Sequence, residues 1–132
     1  MLGRVWQFDR SHAFVRLQQG IEAPRSGSIE LNGKIVAEQI GAQIFIDSLA
    51  MVTPGNPKLA FDLAGKAASV SHDGEAVLAA QFLAVMEAQA FVQPDTTRCL
   101  SLGRPRARRD SFRSLCAKAL IWTHLPWPRH TH

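Results

Sequence analysis

Seven consecutive residues, Ser69-Val70-Ser71-His72-Asp73-Gly74-Glu75, put two hydroxyls, an imidazole and two carboxylates just ahead of an alanine-rich apolar segment. That is the sequence position of a helix N-terminus, where free backbone N–H groups and the positive end of the helix dipole suit an anion such as phosphate. His72 can donate or accept a hydrogen bond to a sugar hydroxyl or a phosphate oxygen. The same residues also read as a plain helix start, with Ser71 or Asp73 as cap and His72 packed beside it. A second stretch, Pro24-Arg25-Ser26-Gly27-Ser28 with Asn32-Gly33, has the small residues that let backbone approach a ligand, and Arg25 can pair with phosphate. It lacks the glycine and lysine spacing of a phosphate-binding P-loop, so a polar turn between helices is its alternative reading.

Other chemistry is thinly represented. Asp47, Asp62 and Glu87 stand alone on helical segments and read as solvated or capping groups. A hard divalent cation needs several oxygen ligands in one place, and the body of the chain shows no such cluster. A Ser28–His72–Asp triad can be drawn, but a chain of this size always permits such a drawing. The two cysteines, Cys99 and Cys116, define neither a disulfide framework nor a metal site.

Helices are expected to position these stretches. Val5, Phe8, His12 and Val15, with Phe14 and Leu17 beside them, have helical spacing over 5–19, and Gly20 is the stop. Residues 22–33 read as a loop with turns. Val36, Ile40, Ile44, Phe45, Leu49 and Val52, widened by Ile35, Ile46 and Met51, predict one largely buried helix over 34–52. Asn56-Pro57 then supplies a cap and a first-turn proline for a helix over 57–68. Val77, Leu78, Phe82, Val85, Met86 and Phe91 predict another over 75–92, rich in alanine. No strand alternation or internal repeat is visible, so the fold class expected is all-α.

The chain has 132 residues, 46% hydrophobic and 20% charged, which is a globular balance for one domain with a core. No apolar run approaches the length of a membrane span, and the first ten residues lack a signal-peptide layout. The expected setting is cytoplasmic, with no membrane partner. The net charge of +4 is unevenly placed. Residues 1–97 hold seven Lys/Arg against ten Asp/Glu, whereas residues 98–132 hold eight Lys/Arg against Asp110 alone. A composition boundary therefore falls at about Pro94 to Arg98. It divides a helical domain, 1–94, from a basic tail, 95–132. Arg104, Arg106, Arg108 and Arg109, with Trp122 and Trp127 as stacking surfaces, could neutralise nucleic-acid phosphates, but nothing in the body matches that role.

Read together, these stretches resemble the middle of an ADP-ribosylglycohydrolase family protein, from about residue 12 to residue 92. The residues concerned are Pro24-Arg25-Ser26-Gly27-Ser28-Ile29, Glu38 to Asp47, the turn Pro54-Gly55-Asn56-Pro57, and Ala68-Ser69-Val70-Ser71-His72-Asp73-Gly74 leading into the alanine-rich helix. The resemblance implies a partial orthogonal helical bundle and a hydrolase that cleaves ADP-ribosyl linkages. It implies ADP-ribose or an ADP-ribosylated substrate as ligand, contacted by Ser26, Gly27, Ser28, Ser71 and His72. Family members hold two Mg²⁺ ions through acidic motifs near both ends of a considerably longer domain. This chain has no Thr-Asp-Asp motif, and Asp95-Thr96-Thr97 only partly echoes an acidic one. Arg25-Ser26 and Glu30 also depart from the family's loop pattern.

The expectation is thus a fragment without catalytic or metal-binding residues of its own, binding no Mg²⁺ tightly and inactive alone. Its tail is expected to be irregular and poorly ordered, or the product of a change of reading frame. Apolar faces left uncovered invite self-association. The alternatives are a nucleic-acid-binding protein acting through the arginine-rich tail, and a non-catalytic helical module that binds a nucleotide or a protein partner.

Overall fold

The structure is a computed structural model that describes residues 8–95 together with Arg98 and Cys99. Among the described residues there is no strand, so the chain is all-α over that range. The helices are α1 (Phe8–Gln18), α2 (Ile29–Asn32), α3 (Lys34–Ala37), α4 (Gly41–Ile44), α5 (Asp47–Met51), α6 (Pro57–Ala68) and α7 (Gly74–Ala90), with a 3-10 turn at Arg25–Gly27 between α1 and α2. No helix among the described residues is long and apolar enough to cross a membrane. The expectations for the tail beyond Cys99 lie outside the described residues.

Helix α7 is central, with α4, α5 and α6 all packed on it. The core is built mainly of alanines. Ala60, Ala64 and Ala68 repeat every four residues along α6, and Ala76, Ala80, Ala84 and Ala88 do the same along α7. Each is at most 2% exposed. Small side chains on matching four-residue ridges let the two helix backbones approach closely, which favours packing of ridges into grooves. Ala42 and Ile46 complete the cluster, with Phe45, Val77 and Leu83 against its edge. Phe82 and Val85 are buried on another side of α7, as expected of a helix enclosed by several neighbours.

Helix α6 starts as its sequence dictates. Asn56 Oδ1 accepts from Leu59 N at 3.1 Å, and Pro57 occupies the first turn. Asn56→Ala is expected to lower stability by about 1 kcal/mol, the usual cost of a lost cap. Urea unfolding of the two proteins measures this directly. A change in midpoint inside experimental error would show the cap to be dispensable.

The segment 34–52 departs from expectation. Instead of one helix it forms three short ones, α3, α4 and α5, separated at Glu38–Ile40 and Phe45–Ile46. The large residues expected in the core point outward: Ile35 is 86% exposed, and Ile40, Ile44, Met51 and Val52 are exposed as well. Ala37, Ala42, Ile46 and Ala50 are the buried ones. Each break resets the helical phase, so a stripe read across the whole segment does not correspond to one face. α6 and α7 leave room mainly for small side chains on this side.

Candidate functional site

The loop around Ser26 and the turn around His72 lie against each other although they are more than forty residues apart in sequence. Ser26 Oγ donates to the Val70 carbonyl at 2.8 Å, and Ile29 N donates to Asp73 Oδ2 at 3.0 Å. Gly27 makes the close approach possible. A Cβ added there would meet His72 N at 2.6 Å, Ser69 O at 2.7 Å and His72 O at 2.9 Å. Asn32 Nδ2 braces the loop from inside by donating to Ser26 O at 2.8 Å and Ser28 O at 3.1 Å. The peptide Ala23–Pro24, which leads into the loop, is cis.

The five residues assigned by resemblance are therefore neighbours, with different exposures. Ser26 is fully buried and His72 is 2% exposed, while Gly27 is also enclosed. Ser28 and Ser71 are half-buried at the edge. Ser71 Oγ lies 2.8 Å from His72 Nδ1, and the His72 ring is tilted against Phe45 with centroids 6.3 Å apart. Ser28 is the N-cap of α2, its hydroxyl accepting from Leu31 N at 3.4 Å.

The N-terminus of α7 differs from the open anion site that its sequence suggests. Asp73 is the cap, with Oδ1 accepting from Gly74 N at 2.7 Å. Glu38 Oε1, from the end of α3, accepts from Glu75 N at 3.2 Å. Two of the chain's own carboxylates thus occupy the place of an external anion at these two N–H groups, satisfying the dipole internally. Gly74 permits this approach. Its φ is +58°, and an added Cβ would collide with Glu38 Oε1. The other Glu38 oxygen lies 3.7 Å from Lys34 Nζ, and Asp73 N donates to Ala37 O at 3.0 Å. Asp73 serves two helix starts at once, α7 through Oδ1 and α2 through Oδ2. Of the two capping candidates in the sequence, it is Asp73 that caps.

Among the described residues there is no group of three or more His, Cys, Asp or Glu side chains able to hold a metal ion. Two acids at the junction, Asp73 and Glu38, already accept from backbone N–H groups.

Two acids read as isolated in sequence share a surface cleft. Asp47, on α5, and Glu87, on α7, line it together with Met51, Ala90 and Phe91, around a volume of about 310 Å³. The Glu87 carboxyl is pushed above the ordinary glutamate value by partial burial, and additionally by the negative charge of Asp47. A separation of forty positions in sequence hides this proximity from any local reading. Nothing local to Glu38 marks it as a contributor to the site, since its partner amide lies thirty-seven residues away. Comparison of the chain with protein-family models, with curated proteins and with solved structures finds no match.

Proposed function

We propose that the chain is a portion of an ADP-ribosylglycohydrolase-like helical bundle that keeps one corner of an ADP-ribose cleft and does not hydrolyse ADP-ribosyl linkages by itself. The observation that supports this reading is the junction of the Ser26–Ser28 loop with the Ser69–Asp73 turn. These are the two stretches that the resemblance assigns to the ligand, and the Ser26–Val70 and Ile29–Asp73 hydrogen bonds join them. In this reading Ser26, Gly27 and His72 act as shape-holding parts, because they are buried. The direct ligand contacts fall to the half-exposed Ser28 and Ser71 hydroxyls and to the backbone around them. Hydrolysis would need an activated water, and no acidic cluster able to supply one through a metal is found among the described residues.

Calorimetry with ADP-ribose, with and without Mg²⁺, tests the reading alongside an assay for release of ADP-ribose from an ADP-ribosylated protein. The expected results are weak binding that is indifferent to Mg²⁺, and no release. Ser71→Ala should weaken binding about fivefold, the equivalent of one hydrogen bond of ~1 kcal/mol. Absence of ADP-ribose binding overturns the assignment of the corner, and metal-dependent release of ADP-ribose overturns the claim of inactivity.

A further inference from the structure

The pair Asn32-Gly33 ends α2, and the fold makes a demand on each member. Gly33 has a φ of +77° and a ψ of 154°, a conformation that a residue with a Cβ rarely adopts. Asn32 supplies two donors from one nitrogen, Nδ2 meeting Ser26 O at 2.8 Å and Ser28 O at 3.1 Å. Both partners are carbonyl oxygens, so they fix which way the amide points. Its Oδ1 is buried and accepts no hydrogen bond among the described residues.

The same pair is chemically labile. The backbone nitrogen of the following residue can attack an asparagine side-chain carbonyl, most readily when that residue is a glycine with no side chain in the way. The bond from Gly33 N to Asn32 Cγ forms and the Cγ–Nδ2 bond breaks. Ammonia leaves, carrying the proton that Gly33 N gives up. Water then opens the succinimide at Cγ or at the Asn32 backbone carbonyl, leaving isoaspartate or aspartate. The chain has one other asparagine, Asn56, and Pro57 after it has no N–H with which to attack.

In the folded chain both reacting groups are held. Gly33 N donates to Ile29 O at 2.9 Å, and the Asn32 side chain is fixed on the two loop carbonyls. Ring closure therefore requires the loop to release Asn32. Solvent is at hand, since Gly33 is exposed and nothing lies within 4 Å of the place a Cβ would take. After reaction, a carboxylate has no N–H to give to Ser26 O and Ser28 O, and it meets them oxygen to oxygen. The brace does not re-form.

We propose that Asn32 is a site of spontaneous deamidation gated by the 26–28 loop, and that the reaction locks open the junction of this loop with the turn at Asp73. No ligand takes part, so the proposal stands or falls apart from the ADP-ribose reading.

Incubation of the full chain at mildly alkaline pH, followed by mass mapping, reads the reaction. Trypsin cuts after Arg25 and Lys34 and so isolates residues 26–34, where exchange of NH₂ for OH adds about 1 Da. The folded chain should react about tenfold more slowly than a synthetic peptide of residues 26–34, because only the locally opened fraction reacts. Ser26→Ala, which removes the bond to Val70 O, should accelerate the reaction about fivefold. Asn56→Ala, a loss of similar size away from the loop, should leave the rate unchanged. In Asn32→Asp, which reproduces one product, the Ile29 amide should exchange with solvent about tenfold faster. A folded chain that reacts as fast as the peptide overturns the gate. So does a Ser26→Ala rate equal to that of the unaltered chain, or equal acceleration by Ser26→Ala and Asn56→Ala, which would make global unfolding the route. Unchanged Ile29 exchange in Asn32→Asp overturns the locked-open junction.

Discussion

Replacing Asp73 by alanine is expected to lower the unfolding free energy by about 3 kcal/mol, a large share of the stability of a domain this size. The argument rests on what one carboxylate does. Its Oδ1 accepts from Gly74 N at 2.7 Å, which caps α7, and its Oδ2 accepts from Ile29 N at 3.0 Å, which starts α2. Loss of a cap alone costs about 1 kcal/mol. A hydrogen bond to a charged acceptor contributes about 1.5–3 kcal/mol, and its loss leaves a part-buried amide without a partner. The two helices so joined are forty-four residues apart, so the bond also fixes the loop on the turn. Asp73→Asn retains an acceptor oxygen and a good capping side chain, and should lose less than half as much. Denaturant unfolding gives both values. Amide hydrogen exchange adds a local readout: Ile29 and Gly74 should exchange faster in the alanine variant, ahead of the α7 interior. A loss below about 0.5 kcal/mol, typical of an ordinary surface substitution, would remove Asp73 from this role.

The sequence is informative about α6 and α7 because each carries its own boundary signals. Asn56-Pro57 announces the first, and Asp73-Gly74 the second, and both helices run within two residues of their expected ends. The all-α class follows from these and from α1. The segment 34–52 departs from a single helix for a physical reason. Periodicity reports a single face only while the helix is unbroken, and here Glu38 leaves the helical path to reach Glu75 N on α7. Which residues enter the core was then decided by the partner. Alanine ridges on α6 and α7 accept Ala42 and Ala50 and leave Ile40 and Ile44 outside. Hydrophobicity alone ranks these residues in the opposite order. At the candidate site, the residue types were legible and the pairing was not. Nothing local to Ser26 names Val70 as its acceptor, and nothing local to Asp47 names Glu87 as its neighbour. An open helix N-terminus and a filled one look alike in sequence when the filling carboxylate, as with Glu38, comes from a distant segment.

Gly27→Ala is expected to be about as damaging as Asp73→Ala, roughly 3 kcal/mol, by a different route. The three atoms nearest an added Cβ are His72 N at 2.6 Å, Ser69 O at 2.7 Å and His72 O at 2.9 Å. All belong to the backbone of the turn, so no rotamer change can make room, and the loop must move away as a unit. Overpacking of this kind costs about 1–3 kcal/mol. Displacement also stretches the Ser26–Val70 bond, and a hydroxyl on the buried Ser26 that loses its acceptor adds about 1 kcal/mol or more. Two companion variants isolate these parts. Ser26→Ala removes the hydroxyl without adding bulk and should cost only about 1 kcal/mol. Gly20→Ala, at a φ of +76° with nothing within 4 Å, tests backbone conformation without crowding and should cost roughly 1–2 kcal/mol. If Gly27→Ala proves no worse than Ser26→Ala, the loop can slide over the turn without loss. The close approach at Gly27 would then not be what sets the shape of the corner. If it proves the most damaging of the three, and accelerates exchange at the Ile29 amide as well, backbone contact between loop and turn is the constraint that holds Ser28 and Ser71 side by side at the surface.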